Sequence, residues 1–263
     1  MKKSEELEFA CRIARRAGQV LCQGFGGQIP AKHKGLVDLV TEYDRRSEDL
    51  ILREIRAAYP QDRVLAEESG ASEAPGERIW YVDPLDGTTN YAHGFPLFTV
   101  SIALADRKGV RLGVVYDPTR SEVFWGERGR GAFLNEGRLR VSDVVELRES
   151  LLVTGFPYDV WSNPVNNLDN YAKFALRSLG VRRLGSAALD FAYVAAGRLD
   201  GFWELRLSPW DVAAGSLLVQ EAGGEVTDID GGPLLLAGFP SVLAANRQLH
   251  SRMLEVLRLE PGS

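Results

Sequence analysis

The chain has two cysteines, three histidines and two methionines in 263 residues. No apolar run approaches the ~20 residues that a membrane-spanning helix needs. Cys11 and Cys22 fall in what reads as one helix, about 16 Å apart at roughly 1.5 Å per residue, too far to bridge. Neither is followed six residues on by the arginine of a cysteine phosphatase loop. His33, His93 and His250 make no HExxH motif and no Cys/His cluster, which speaks against zinc catalysis. GxxxxGK[ST] and a complete GxGxxG are also missing, so P-loop and dinucleotide-binding readings fail. The aspartyl-phosphate signature finds only 228-DIDGG-232, which lacks the Thr or Val.

A basic stripe is absent too. The net charge is −5 and the basic residues are dispersed, so nucleic acid is not a predicted partner. The first residues, Met-Lys-Lys-Ser-Glu-Glu, lead into an amphipathic pattern and not into a signal-peptide core, which predicts a cytoplasmic protein with no membrane partner.

What is present is 45% hydrophobic and 9% aromatic residues, enough for a sizeable core. Leu7, Ala10, Ala14, Ala17 and Leu21 recur at helical spacing up to Gly24, and Thr41 is placed to cap a second helix ended by Pro60, with Asp44 in its first turn. Strands are predicted at 63–66 and 79–82, the second buried on both faces and ended by Pro84, and an antiparallel meander at 98–105, 110–116 and 122–126. From 151 the pattern alternates: strand 151–156, helix 167–179, strand 181–184, helix 187–196, strand 200–205, helix 210–222 and two further strands. An α+β half, 1–145, is thus followed by an α/β half, 146–263, in one compact unit. Trp80, Phe95, Phe98, Trp203 and Trp210 read as core supports.

The stretch 83-DPLDGTTN-90 sets Asp83 and Asp86 at the end of an apolar strand, with Gly87 permitting a tight turn and Thr88 opening a helix. Two carboxylates there repel each other and are costly to desolvate unless a cation sits between them. In isolation an ordinary Asp-Pro turn explains the motif as well as a metal does. Two more segments tip the balance: 66-AEES-69, with Glu67 and Glu68 after a strand, and 209-PWDVAAGS-216, with Asp211 at a helix start. Three acid-bearing element ends, all flanked by core sequence, point to an all-oxygen site for Mg²⁺, Mn²⁺ or Ca²⁺.

The segments 67-EES-69, 83-DPLDGTTN-90 and 210-WDVAAG-215 resemble the three metal-binding motifs of the inositol monophosphatase family, most closely its bacterial members. The resemblance runs on through 38-DLVTEYD-44, 95-FPLFTVSIAL-104, 113-GVVYDP-118, 153-VTGFPY-158 and 185-GSAALDFAYVAAGRLDGFWE-204. It implies a layered αβαβα sandwich of the inositol monophosphatase and fructose-1,6-bisphosphatase type, and a homodimer that hydrolyses small-molecule phosphate monoesters with Mg²⁺. Two to three ions per site, Mn²⁺ as a substitute, and Ca²⁺ and Li⁺ as inhibitors are expected with it. Carried over by position, Glu67, Asp83 and the Leu85 carbonyl hold a first metal. Asp83, Asp86 and Asp211 hold a second, and Glu67 helps hold a weaker third. Asp44 and Thr88 orient and deprotonate the attacking water, and the amides of Gly87 and Thr88 contact phosphate.

In the family a Gly-Ser/Thr-Ala turn and a glutamate contact the inositol ring; here these are Gly185, Ser186, Ala187 and Glu204, beside Asp86 and Asp211. Inositol 1-phosphate is the first substrate expectation. The same chemistry on fructose 1,6-bisphosphate, histidinol phosphate, NADP or 3′-phosphoadenosine 5′-phosphate is the alternative, and a protein-binding regulatory module with a residual phosphatase site is a third. Departures are Ser208, where animal members carry histidine, and 32-KHKG-35, which does not align with the family's basic loop. Arg182 and Arg183 face two readings, a second phosphate or a dimer contact.

Overall fold

A computed structural model describes residues 2–27, 32–33 and 39–260. The question of the basic loop at 28–37 therefore lies outside the described residues, apart from the backbone of 32–33. Helix α1 (Glu5–Gly24) starts where the Ser4 side chain accepts the Leu7 N–H, with Glu5, Glu6 and Glu8 in its dipole-favoured first turn. Its apolar stripe, Leu7, Ala10, Ala14, Ala17 and Leu21, is fully buried. Two short strands, β1 (Lys32–His33) and β2 (Leu39–Val40), pair antiparallel before α2 (Glu42–Ala58). Thr41 caps α2, and Asp44 returns the favour by accepting the Thr41 N–H at 2.9 Å.

The first sheet contains β3 (Arg63–Ala66), β4 (Gly70–Ala71), β5 (Ile79–Asp86), β6 (Thr99–Asp106), β7 (Gly109–Asp117), β8 (Glu122–Glu127), β9 (Gly131–Leu134) and β10 (Gly137–Arg138). Its order is β10-β9-β8-β7-β6-β5-β3-β4, so β6 to β10 form the expected meander extended by two strands. A five-residue helix, α3 (Thr88–Ala92), follows β5. The second half holds β11 (Leu151–Thr154), α4 (Leu168–Ala175), β12 (Gly180–Arg182), α5 (Ala187–Ala195), β13 (Gly201–Glu204), α6 (Pro209–Glu221), β14 (Glu225–Asp228), β15 (Val242–Ala245) and α7 (Arg247–Leu257). Its sheet is ordered β12-β11-β13-β15-β14, parallel through β11 and antiparallel at β15.

Three apolar clusters separate five layers. α1 and α2 cover one face of the first sheet; α5 and α6 lie between the two sheets; α4 and α7 close the outer face of the second. This is the αβαβα sandwich. The middle layer is tight: at Gly113 on β7, a Cβ would stand 2.8 Å from the Ala214 Cα and carbonyl oxygen of α6, backbone that has no rotamer to yield. Gly113→Val is accordingly expected to destabilise the fold by about 1–3 kcal/mol or more, read as a lowered melting temperature. A parental melting temperature would mean that α6 can back away from the sheet.

Three expectations need correction. β5 does not end at Asp83: it continues to Asp86, because a bulge between the Asp83–Ser101 and Asp86–Thr99 pairs takes up one extra residue and with it the missing N–H of Pro84. Phe95 is 51% exposed and so is no core support, and Trp210 is only half-buried, whereas Trp80, Phe98 and Trp203 are fully enclosed. α4 stops at Ala175, ahead of the predicted 179, where the Ser178 hydroxyl turns back onto the Phe174 carbonyl at 2.8 Å.

Candidate active site

Five element ends, of β3, β5, β13, α5 and α6, meet where strands of the two sheets finish. β3 and β5 run parallel with Ala66 opposite Val82, so both strands finish side by side, and the Glu67 N–H donates to the Val82 carbonyl at 3.2 Å. That sets Glu67 beside the Asp83 turn. Beneath the bulge the Ser47 hydroxyl of α2 donates to the Pro84 carbonyl at 2.8 Å. Gly87 then turns the chain at φ 98°, and any Cβ there would press on the Leu97 and Gly185 carbonyls at 2.9 and 3.1 Å.

Asp86 reaches across to α5. Its Oδ2 accepts the Ser186 hydroxyl and the Ala188 N–H, both at 2.7 Å, so a carboxylate from the first sheet caps a helix of the middle layer. Asn90 holds the approach to that helix by donating to the Leu184 carbonyl at 2.8 Å. Asp211 lies in the first turn of α6, behind Pro209, and its Oδ2 accepts the Ser208 N–H at 2.7 Å. Glu204 ends β13 at 8% exposure, packed so closely on Gly155 that a side chain at 155 would collide with its carboxylate.

Every sequence-predicted site residue except Asp44 lines one cleft of about 490 Å³, a size suited to a small-molecule ligand. Asp44 stands one contact behind it, fully buried, and accepts the Thr88 hydroxyl on Oδ1 at 3.0 Å. The same hydroxyl lies 3.1 Å from the Leu85 carbonyl. Arg183 also lines the cleft, whereas Arg182 is exposed outside it. The cleft holds two acids that the sequence reading passed over, Asp159, paired with Arg206 at 2.8 Å, and Asp190 on α5. The only sequence signal of Asp190 is a charge in the otherwise apolar run 187-AALDFAYVA-195.

Burial and mutual repulsion govern the electrostatics. Desolvation, then Glu67, Asp86 and Asp211, push the Asp83 carboxyl well above the usual range. Burial and then Asp86 push Asp211 up to about 8, opposed by hydrogen bonds to the Ser208 N–H and to Asp83. Burial raises Glu204 to about 8 against the opposing pull of Arg183. Asp44 is also raised by burial, in part offset by its bonds to Thr41 and Thr88. Among the described residues, no three His, Cys, Asp or Glu side chains already stand in a metal-holding arrangement. The hydrogen bonds of the acids give the reason: Asp83 faces the Leu85 N–H at 3.0 Å, Asp86 faces Ser186 and Ala188, and Asp211 faces Ser208. These oxygens are hard donors, gathered in one cleft and short of positive charge, which suits a divalent cation of the Mg²⁺ type.

A model of the inositol monophosphatase family matches residues 2–260. The chain belongs to that family. It is 44% identical over 261 residues, covering 98% of both chains, to a protein of Mesorhizobium japonicum named inositol-1-monophosphatase. A Pseudomonas aeruginosa protein named Nus factor SuhB is 49% identical over 235 residues, 86% of each chain. The solved inositol monophosphatase of Anabaena (Nostoc) superposes with a TM-score of 0.87 at 45% identity, covering 97% of this chain and 96% of that one. The family consists of phosphatases that act on small phosphate esters and generally use metal ions, and this chain is a hydrolase of that kind. No helix among the described residues is long and apolar enough to cross a membrane.

Proposed function

We propose that the protein is a Mg²⁺-dependent phosphomonoesterase whose preferred substrate is inositol 1-phosphate. The observation that carries this reading is the acid cluster itself: the charges that act most strongly on buried Asp83 are all carboxylates, Glu67, Asp86 and Asp211. Holding them ionised needs a cation. In this reading Glu67, Asp83 and the Leu85 carbonyl hold one ion, Asp83, Asp86 and Asp211 hold a second, and Glu67 contributes to a weaker third. Mn²⁺ substitutes, and Ca²⁺ and Li⁺ inhibit. Bound Mg²⁺ supplies the charge that acidifies a water and stabilises the departing oxygen of an in-line displacement.

The remaining steps belong to the chain. Thr88 directs its hydroxyl hydrogen to Asp44 Oδ1, which leaves an Oγ1 lone pair to accept the proton of the attacking water and pass it inward. The raised pKa of Asp44 suits that base role, because a carboxylate of ordinary pKa holds a proton poorly near neutral pH. The amides of Gly87 and Thr88 face the phosphate oxygens. Gly185, Ser186, Ala187 and Glu204 orient the alcohol. A cytoplasmic homodimer completes the proposal.

Phosphate release is to be measured on inositol 1-phosphate, fructose 1,6-bisphosphate, histidinol phosphate, NADP and 3′-phosphoadenosine 5′-phosphate, with and without Mg²⁺. The expected result is Mg²⁺-dependent turnover with kcat/KM on inositol 1-phosphate about tenfold or more above the rest. A different preferred ester would overturn the substrate assignment and keep the chemistry. The Nus factor relative favours a second reading, a regulatory protein-binding role beside catalysis. That reading takes precedence if no ester reaches a specificity constant of ~10³ M⁻¹s⁻¹ while the chain holds a stable protein partner.

A further inference from the structure

Asp190 has no part in the scheme above, yet it is among the least ordinary residues of the cleft. It is 1% exposed, and its Oδ1 finds no hydrogen-bond partner among the described residues. Buried side-chain oxygens are seldom left that way, since the desolvation cost then goes uncompensated. Asp190 also lines the cleft, so its buried carboxyl borders a cavity of ligand size and not a sealed core. It sits one turn along α5 from Ser186, to whose carbonyl its own N–H donates at 3.0 Å, and so shares a helix turn with the groups that hold Asp86.

After burial itself, the charges acting most strongly on it are Glu204, then Asp86, with Arg183 as the opposing cation. Arg183 is exposed and lines the cleft. The cleft thus presents carboxyl groups from three elements, β5, α5 and β13, with Arg183 as the opposing guanidinium, while Arg206, which also lines it, is paired with Asp159. Carboxyl oxygens in such a setting need donors, and a carboxyl that burial keeps protonated can donate in return. An alcohol hydroxyl is the group that can both donate and accept.

We propose that Asp190 is a specificity-determining residue whose carboxyl, together with that of Glu204, hydrogen-bonds ring or chain hydroxyls on the alcohol half of the phosphate ester. The cleft is thereby built for polyol phosphates. An ester with a second anionic group there meets Asp86, Asp190 and Glu204 together, and one with an apolar alcohol leaves the Asp190 carboxyl without that partner. This rests on the phosphomonoesterase reading and adds a residue to it.

The test compares the full-length wild type with Asp190→Ala and Asp190→Asn in Mg²⁺. The substrates are inositol 1-phosphate, its analogues lacking one ring hydroxyl each, and p-nitrophenyl phosphate, which has no hydroxyl to read. The expected result for Asp190→Ala is a loss of about tenfold to hundredfold in kcat/KM on inositol 1-phosphate, mainly through KM, with p-nitrophenyl phosphate changed by less than about threefold. One deoxy analogue should be turned over equally by wild type and variant, the signature of a coupled pair. Equal losses on both esters would make Asp190 a structural support and overturn the proposal, as would no loss on either.

Should the alanine variant not fold, the isosteric Asp190→Asn is scored on the same ratio. Calorimetric binding of inositol 1-phosphate gives the comparison without turnover. Hydroxyl-dependent binding that Asp190→Ala abolishes, in a wild type that hydrolyses nothing, sinks the phosphatase reading and leaves Asp190's role standing. Normal turnover with an indifferent Asp190→Ala sinks the role of Asp190 alone.

Discussion

Replacing Asp83 with asparagine is expected to cut kcat on inositol 1-phosphate by about three orders of magnitude or more and, in the metal-free protein, to raise the melting temperature. Both effects have one cause. Asp83 is 2% exposed and its carboxyl is pushed well above the usual range by burial and by Glu67, Asp86 and Asp211. At neutral pH the empty cluster either carries that repulsion or takes up a proton to relieve it. Asparagine keeps the acceptor for the Leu85 N–H, which Asp83 Oδ1 holds at 3.0 Å, and gives Asp211 a neutral donor in place of a rival carboxylate.

The local structure survives on those terms, but the charge that would bridge two ions is gone. A loss of ~4 kcal/mol or more of transition-state stabilisation corresponds to the stated drop in rate. Steady-state kinetics with Mg²⁺ and a thermal melt in chelator read the two halves separately. Wild-type turnover by Asp83→Asn would remove Asp83 from the site. A variant less stable than wild type in chelator would show that the acid cluster is not strained, and the electrostatic case for a cation would go with it.

Much of this site was legible because its acids sit where elements stop. Strand ends and helix starts are marked locally by Gly87 and Pro209, so 83-DPLDGTTN-90 and 209-PWDVAAGS-216 announce both a turn and a charge. Asp44 was legible for a similar reason, since Thr41 and Asp44 form a capping box that any helix start would show. The bulge in β5 was not. Pro84 locally demands a strand end, and only the pairing with β6 reveals that the strand absorbs the extra residue and goes on.

Asp190 was hidden for the opposite reason. Nothing within α5 distinguishes a mid-helix acid that faces solvent from one that faces a cleft, because that depends on β13 and on the arrival of Asp86 from 100 residues away. Helix α7 was missed although Asn246 accepts the Gln248 and Leu249 N–H groups, a cap the sequence does carry. With Leu249, Met253 and Val256 buried at helical spacing behind it, that signal was there to be read.

The metal-free protein is expected to lose stability as the pH is raised from about 4.5 to above about 8, and Mg²⁺ is expected to restore most of the loss. The sign follows from Glu204 and Asp211. In the unfolded chain they ionise near their ordinary values of 4.5 and 3.8, while in the folded chain both hold their protons up to about 8. Between those limits the unfolded state binds fewer protons than the folded state, so the unfolding free energy falls with rising pH. The stabilisation is fully present below the ordinary values and is gone once the pH has passed the folded ones. Asp106 and Asp159 have lowered pKa values and pull the other way, but both are exposed to solvent and their effect is confined to the acid end.

A divalent ion binds the deprotonated acids, so its stabilising effect must grow over the same interval in which the empty site weakens. Two contributions can be told apart. Asp83→Asn should flatten the Mg²⁺-reversible part, whereas Glu204→Gln should flatten a part that Mg²⁺ does not restore, because Glu204 is proposed to face substrate and not metal. Melting temperatures from about pH 5 to pH 9, in chelator and in Mg²⁺, carry the test. A melting temperature that stays level or rises with pH in chelator would mean that these acids are better solvated than their burial implies. A Mg²⁺ effect that does not change with pH would place the ion somewhere other than among Asp83, Asp86 and Asp211.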